Sequence, residues 1–227
     1  MAHRIVNNAV DTKEKVAGLL AKLDAKGIRG VEFDARQTKD KKFIAFHNSR
    51  FPQLKWPIEE YLFEDLKKDA EKNNFTFLTL QEVLLEIPAT FKIQIDLKDK
   101  NVDAQKFLEA IAPFKIFDRV IISSFYPKVI KKFADSKIQA RWLLTRISLK
   151  NELMRVIFYS FAPIQIAIIC KATGVGPHRP LATKIIIKEA HRKKLTVTVW
   201  TIHKKKSLSK FKKRDADYLT VDSRLLV

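Results

Sequence analysis

Two kinds of hydrophobic pattern alternate along this chain. Short runs of apolar and β-branched residues predict strands at Ile28–Ala35, Lys42–Phe46, Phe91–Leu97, Arg119–Ser124, Gln139–Leu144, Ile164–Ile169, Leu195–Thr201 and Tyr218–Val221. Helix-like stretches lie between them, at Thr12–Lys26, Ile58–Lys72, Thr79–Glu86, Val102–Ala112, Pro127–Asp135, Leu149–Ser160, Leu181–Lys194 and Ser207–Lys213. Some carry helix-start signals: Asp11-Thr12 stands ahead of Glu14, and Pro127 follows a strand directly. Strand cores such as Ile93-Gln94-Ile95 and Val120-Ile121-Ile122 are nearly continuous apolar runs, which suits a parallel sheet covered by helices. Strand–helix alternation over a whole chain leaves two architectures, a doubly wound sheet or a (β/α)8 TIM barrel. No Gly-x-Gly-x-x-Gly follows the first strand, so a dinucleotide-binding sheet has no support. No linker, internal repeat or low-complexity tract divides the sequence, and a single domain over residues 1–227 is expected.

Composition narrows the class. At 227 residues and 46% hydrophobic the chain can bury a substantial core. Its one cysteine, Cys170, excludes an intrachain disulfide framework and a cysteine-rich metal cluster. No apolar stretch approaches the roughly 18 residues a transmembrane helix needs. After Met1-Ala2-His3-Arg4 only Ile5-Val6 intervene before the polar Asn7-Asn8, too short an apolar run for a secretory signal, so none is readable and a cytoplasmic protein is expected. The net charge of +19 points to an anionic partner, although 32 of the 44 basic residues are lysines, which lack the planar fork suited to bidentate phosphate recognition. The charge is concentrated: residues 184–214 hold 12 Lys and Arg against one acid, Glu189. That stretch is either a solvated face or a patch beside an anion site, and specific nucleic-acid recognition is not expected of it.

In a (β/α)8 barrel the working residues sit at the C-terminal ends of the strands. Those ends carry His3-Arg4, Glu32-Phe33-Asp34 and Asp96-Leu97-Lys98, while His47-Asn48 closes the run Lys42–Phe46. Residues two apart in a strand share a face, so Glu32 goes with Asp34 and Asp96 with Lys98. Glu32, Asp34 and Asp96 would make a hard oxygen site suited to Mg²⁺ or Ca²⁺. His3 and His47 are the natural proton-transfer pair, and Arg4 and Lys98 would neutralise phosphoryl oxygens. Together they describe metal-assisted displacement at phosphorus.

These motifs resemble those of the glycerophosphodiester phosphodiesterase family, a group of metal-dependent (β/α)8-barrel enzymes. Where that family has His-Arg-Gly after the first strand, this sequence has His3-Arg4-Ile5. Its Gly-x-x-x-(Val/Ile)-Glu-x-Asp block stands as Gly27-Ile28-Arg29-Gly30-Val31-Glu32-Phe33-Asp34, followed by Thr38-Lys39-Asp40 and His47-Asn48. Leu78-Thr79-Leu80-Gln81-Glu82-Val83-Leu84, Ile95-Asp96-Leu97-Lys98, Ser123-Ser124-Phe125 and Trp200-Thr201-Ile202-His203 resemble its later blocks, and Thr220-Val221-Asp222-Ser223 matches the closing one loosely. The resemblance implies hydrolysis of glycerophosphodiesters to glycerol 3-phosphate and an alcohol. It implies His3 and His47 as the acid/base pair, Glu32, Asp34 and Asp96 as metal ligands, Arg4 and Lys98 as phosphate binders, and Trp200 as a wall near the alcohol.

The sequence departs from the family pattern at several points. Ile5 replaces the Gly after His-Arg, Asn48 replaces the Asp after the second His, and Asp96 replaces a Glu. Only Met1-Ala2 precede His3, so a truncated first strand is expected, and the stretch after Tyr218–Val221 leaves at most a very short last helix. Asp-Leu-Lys at 96–98 is also similar to the sphingomyelinase D-like phospholipases, which share the barrel and the two-histidine logic. A lysophospholipid substrate would give the basic 184–214 region a purpose, as peripheral contact with an anionic membrane. A barrel that binds a phosphorylated ligand without turnover is the remaining alternative.

Overall fold

The computed structural model describes residues 1–6, 11–145 and 162–227. Among them ten strands form one sheet: β1 (Ala2–His3), β2 (Gly30–Gln37), β3 (Phe43–Ala45), β4 (Leu78–Thr79), β5 (Lys92–Leu97), β6 (Val120–Ser124), β7 (Gln139–Leu144), β8 (Gly174–Pro177), β9 (Thr196–Ile202) and β10 (Tyr218–Asp222). β1 pairs in parallel with both β10 and β2, and that double pairing closes β1-β2-β5-β6-β7-β8-β9-β10 into a (β/α)8 barrel. The first strand is only two residues long, and a 3₁₀ turn, Ser223–Leu225, follows β10. β3 and β4 stand outside the ring. β3 returns antiparallel along the end of β2, and β4 pairs antiparallel with β3.

The helices are α1 (Lys13–Ala25), α2 (Phe63–Lys72), α3 (Leu80–Glu86), α4 (Ala104–Ile111), α5 (Pro127–Lys131), α6 (162–169), α7 (Lys184–Arg192) and α8 (Lys205–Lys212). Four of them, α1, α3, α4 and α7, start at capping residues: Thr12, Thr79, Asp103 and Thr183 each accept a first-turn backbone N–H, with a reciprocal Glu82 bond at Thr79. α4 shows how the faces are chosen. Ala104, Phe107 and Ile111 are buried at spacings of three and four, and Phe107 meets Phe43 and Phe133 edge to face at 5.2 and 5.8 Å.

Two sequence expectations change. The Ile58–Lys72 helix is interrupted at Tyr61-Leu62, because the β2–β3 hairpin takes its backbone groups: Lys39 N donates to the Tyr61 carbonyl and Phe63 N donates to Asp40 Oδ1 at 3.0 Å. The strand expected at Ile164–Ile169 is helical. Ile164, Ala167 and Cys170 are buried while Ile168 and Ile169 are exposed, a helical period that overrides the local β-branched preference. The strand occupying that place in the ring is β8, whose Gly-Val-Gly-Pro reads as a turn. It is glycine-rich because its neighbours fill the lumen: a Cβ on Gly174 would lie 2.4 Å from Thr196 Oγ1, and one on Gly176 would lie 2.4 Å from Leu143 Cδ2. The helix expected at Leu149–Ser160 lies outside the described residues.

Two apolar clusters result. The larger packs the helices on the barrel; the smaller gathers Ile44 of β3 with Phe46, Phe51, Leu54, Ile58, Leu66, Ala70 and Phe75 of the segment between β3 and β4. Deeper in the lumen lies Arg141, fully buried. Its guanidinium donates to Thr198 Oγ1 at 2.6 Å and, at 3.3 Å, to both Thr196 Oγ1 and Gln139 Oε1, and stacks over Tyr218 at 4.1 Å. Burial lowers its pKa to about 10. Truncation by Arg141→Ala leaves those acceptors unpaired beside a cavity and is expected to cost about 3–5 kcal/mol in urea unfolding. Arg141→Met, which refills the space, costs less.

Candidate active site

Strand register brings the acidic residues together. Asp34 of β2 stands opposite Asp96 of β5, and Glu32 stands opposite Gln94, all on the lumen side near the C-terminal end of the ring. One carboxylate oxygen from each of Glu32, Asp34 and Asp96 lies within 4.8 Å of the others, and all three residues are buried. β1 places His3-Arg4 beside them: Arg4 N donates to Glu32 Oε2 at 2.8 Å, and Ile5 N donates to the Glu32 carbonyl at 3.0 Å. This geometry answers the Ile5-for-Gly departure. The left-handed residue is Arg4, at φ 51°, so Ile5 bears no left-handed strain and is simply buried.

Two cations flank the carboxylates. Arg4 Nε lies 3.2 Å from Asp34 Oδ2 and Lys98 Nζ lies 2.9 Å from Asp34 Oδ1; Lys98 also contacts Asp96 Oδ2. The contacts to Asp34 are ion pairs without hydrogen-bond alignment, and Asp96 Oδ1 has no hydrogen-bond partner although it is buried. Buried, acceptor-only oxygens left in this state are the donor set that a hard divalent cation takes, so the residues fit such a metal. Burial, reinforced by Asp34 and Asp96, raises the pKa of Glu32 well above the ordinary value. Burial raises Asp96 to about 6, against the pull of Lys98. For Lys98 burial works downward, but Asp96 and Asp34 outweigh it and hold the ammonium firmly protonated.

The histidines face the same cavity, which measures about 240 Å³ and is also lined by Gln94, Phe125, Leu143, Trp200, Thr201 and Thr220. His3 Nε2 is 3.4 Å from Thr201 Oγ1 and 3.8 Å from Glu32 Oε2. Burial and the nearby Arg4 lower His3 to about 4, so it is neutral at pH 7. His47 comes in on the returning strand β3, two residues past its last ladder pair, Ala35 with Ala45. Its Nδ1 is 2.8 Å from Asn48 Oδ1, so the residue that replaces the family's Asp still fixes the tautomer: Nδ1–H donates and Nε2 is left to accept a proton. Burial lowers the pKa of His47, and the Asn48 bond opposes that shift.

Trp200 forms one wall. Its Nε1 donates to the Gly176 carbonyl at 2.6 Å, and its ring meets Phe125 edge to face at 5.4 Å. Thus all eight residues singled out in the sequence come to one mouth. Sequence reasoning missed others. His178 packs on Trp200 with centroids 4.9 Å apart. Thr201, Gln94 and Thr220 complete the lining, and the period-2 pattern of β5 and β10 could have flagged the last two. Arg36, half-buried between His47 and Asp99, carried no motif signal.

Comparison with known proteins bears on the family and the fold. Residues 19–225 match the model of the glycerophosphoryl diester phosphodiesterase family. A glycerophosphodiester phosphodiesterase of Bacillus altitudinis is 31% identical over 116 residues, 44% of this chain and 47% of that protein. A Bacillus subtilis protein is 28% identical over 114 residues, with the same coverage, so each match spans about half the length of the curated relative. Among solved structures, a glycerophosphodiester phosphodiesterase from Agrobacterium tumefaciens superposes with a TM-score of 0.70 at 14% identity, covering 99% of this chain and 97% of that one. An Oleispira antarctica phosphodiesterase in complex with the product sn-glycerol-3-phosphate gives 0.68 at 17% identity, covering 98% and 92%. At such identities the structures establish the shared fold, while the family match over most of the length establishes more: this chain belongs to the glycerophosphoryl diester phosphodiesterase family.

Proposed function

We propose that the protein hydrolyses glycerophosphodiesters to glycerol 3-phosphate and an alcohol. The observation that carries this reading is the buried Glu32–Asp34–Asp96 cradle flanked by Arg4 and Lys98 at the mouth of a family barrel. The three carboxylates would hold Mg²⁺ or Ca²⁺, whose chemistry there would be to polarise a phosphoryl oxygen. Arg4 and Lys98 bind the remaining phosphoryl charge. His47, neutral and with Nε2 free, takes the proton of the attacking water. His3 is also neutral in the free site; the negative charge of a bound phosphodiester favours its protonated form, which then donates to the departing oxygen. Trp200 and Phe125 close the side where the alcohol leaves.

A lysophospholipid substrate is the second reading, favoured by the outer surface of α7 and α8. Lys184, Lys188, Lys213 and Arg214 line a groove of about 300 Å³ there, with Asp215 the one carboxylate among its lining residues. Such a groove suits anionic lipid head groups and would hold the protein peripherally on an acidic bilayer. Among the described residues no helix is long and apolar enough to cross a membrane.

The test is release of choline, together with glycerol 3-phosphate from glycerophosphocholine or lysophosphatidate from lysophosphatidylcholine, with EDTA, Mg²⁺ or Ca²⁺, and with or without anionic vesicles. Product that requires metal and disappears in Glu32→Ala supports hydrolysis. Turnover of the lysolipid alone, raised by anionic vesicles, supports the second reading. Binding of glycerol 3-phosphate with no product from either substrate leaves a ligand-binding barrel and rejects both.

A further inference from the structure

We propose that Arg36, clamped by Asp99, is the positioning residue that fixes His47 against the carboxylate cradle; the proposal rests on the phosphodiesterase reading above. The backbone of His47 needs such a restraint, because the β2–β3 ladder ends at Ala45 and His47 lies beyond it. Arg36 supplies it. Nε and Nη2 both donate to the His47 carbonyl, at 3.1 and 2.9 Å, and Nη1 donates to Asp99 Oδ1 at 2.5 Å. The Arg36 and Asp99 side chains are 14% and 6% exposed, so water competes little for these bonds.

The clamp continues on both sides. Asp99 Oδ2 accepts from Gln37 N at 2.7 Å, and Gln37 Oε1 accepts from Asp103 N at 2.7 Å, the N-cap residue of α4. Asp99 directly follows Lys98, which holds Asp34 and Asp96. A single guanidinium therefore joins the segment bearing His47 to the segment bearing the phosphate-binding lysine. Only arginine has the planar fork to reach one carbonyl twice and a carboxylate once. With its charge matched by Asp99, it supplies geometry rather than a field at the imidazole. A displacement of about 1 Å at a reacting group costs on the order of 100-fold in rate, which sets the scale of the effect.

A merely structural ion pair would cost stability and leave chemistry alone, so the experiment is a double-mutant cycle. Arg36→Met and Asp99→Asn are each measured in the wild-type and His47→Ala backgrounds, with a glycerophosphodiester and divalent metal, alongside melting temperatures. The expected result for Arg36→Met is a kcat lower by about 10- to 100-fold with KM within about threefold and the metal-induced rise in melting temperature retained. In the His47→Ala background the same substitution has no further effect on kcat. Arg36→Lys, which keeps the charge without the fork, falls between. If Arg36→Met does not fold, Asp99→Asn carries the same test, since it keeps Arg36 but leaves one amide oxygen for the bonds that two carboxylate oxygens accept from Arg36 and Gln37. An equal loss in both backgrounds, or an unchanged kcat in either folded variant, overturns the proposal. A wild-type protein that turns over no phosphodiester overturns the underlying reading instead, and the control separates the two failures.

Discussion

Asp34→Asn is expected to lower kcat/KM by on the order of 10³-fold and to remove the thermal stabilisation that Mg²⁺ or Ca²⁺ confers on the wild-type protein. Asp34 is the hub of the site: it lies within 3.2 Å of Arg4 and 2.9 Å of Lys98 while offering its oxygens to the same cavity as Glu32 and Asp96. Its neutral amide weakens all three roles together, so the loss exceeds that of any single phosphate contact. Saturating the wild-type protein at about 100 times the dissociation constant adds about 2.7 kcal/mol of stability, a shift that calorimetry resolves easily. The shift should depend on pH. In the metal-free protein Asp96 takes its proton at about 6 and Glu32 also above the ordinary value, so folded protein binds these protons more tightly than unfolded chain does. Their contribution to stability is present at low pH and is lost as pH rises through about 6. His3, lowered to about 4, acts in the opposite sense: its contribution is present near neutrality and is lost as pH falls from the ordinary imidazole range towards 4. A divalent cation must displace the carboxylate protons, so its stabilisation should be largest at pH 7 and shrink towards pH 5. A metal-induced shift that is flat across that interval, or intact in Asp34→Asn, would place the cation elsewhere.

The second large effect belongs to His47. His47→Ala should reduce kcat by about 10²- to 10⁴-fold while the metal-induced rise in melting temperature stays intact, because the imidazole touches none of the three carboxylates at bonding distance. Asn48 refines the prediction. An aspartate at that position would accept the same Nδ1–H and add a negative charge, which raises the pKa of His47. Asn48→Asp should therefore move the acidic limb of the kcat/KM profile to higher pH, and the profile of His47→Ala should be indifferent to it. An acidic limb that stays in place when Asn48 becomes Asp would show that it reports another group.

The sequence made the faces of the site legible and left their meeting hidden. Glu32 with Asp34, and Asp96 with Lys98, could be paired by strand periodicity alone. That Asp34 stands opposite Asp96 could not, because the register between β2 and β5 depends on packing across some sixty intervening residues. β8 was unreadable for a related reason. Gly174 and Gly176 are glycine because Thr196 and Leu143 already fill their places, and nothing local announces that. α6 was misread because Ile164–Ile169 has the composition of a strand and the burial period of a helix. The Arg36–Asp99 clamp links residues 63 apart and belongs to no motif, so only the folded chain reveals it.

The segment between β3 and β4 has an apolar cluster distinct from that of the barrel, and His47 stands at its root. One half of the proposed acid/base pair, His47, is thus carried by a limb packed on itself, while His3 and the charge-handling residues are fixed in the ring. Sequence drift in that limb can reshape access to the mouth without disturbing the cradle, provided the anchor at Arg36 survives. Reactivity and selectivity are in this way open to independent inheritance within one chain.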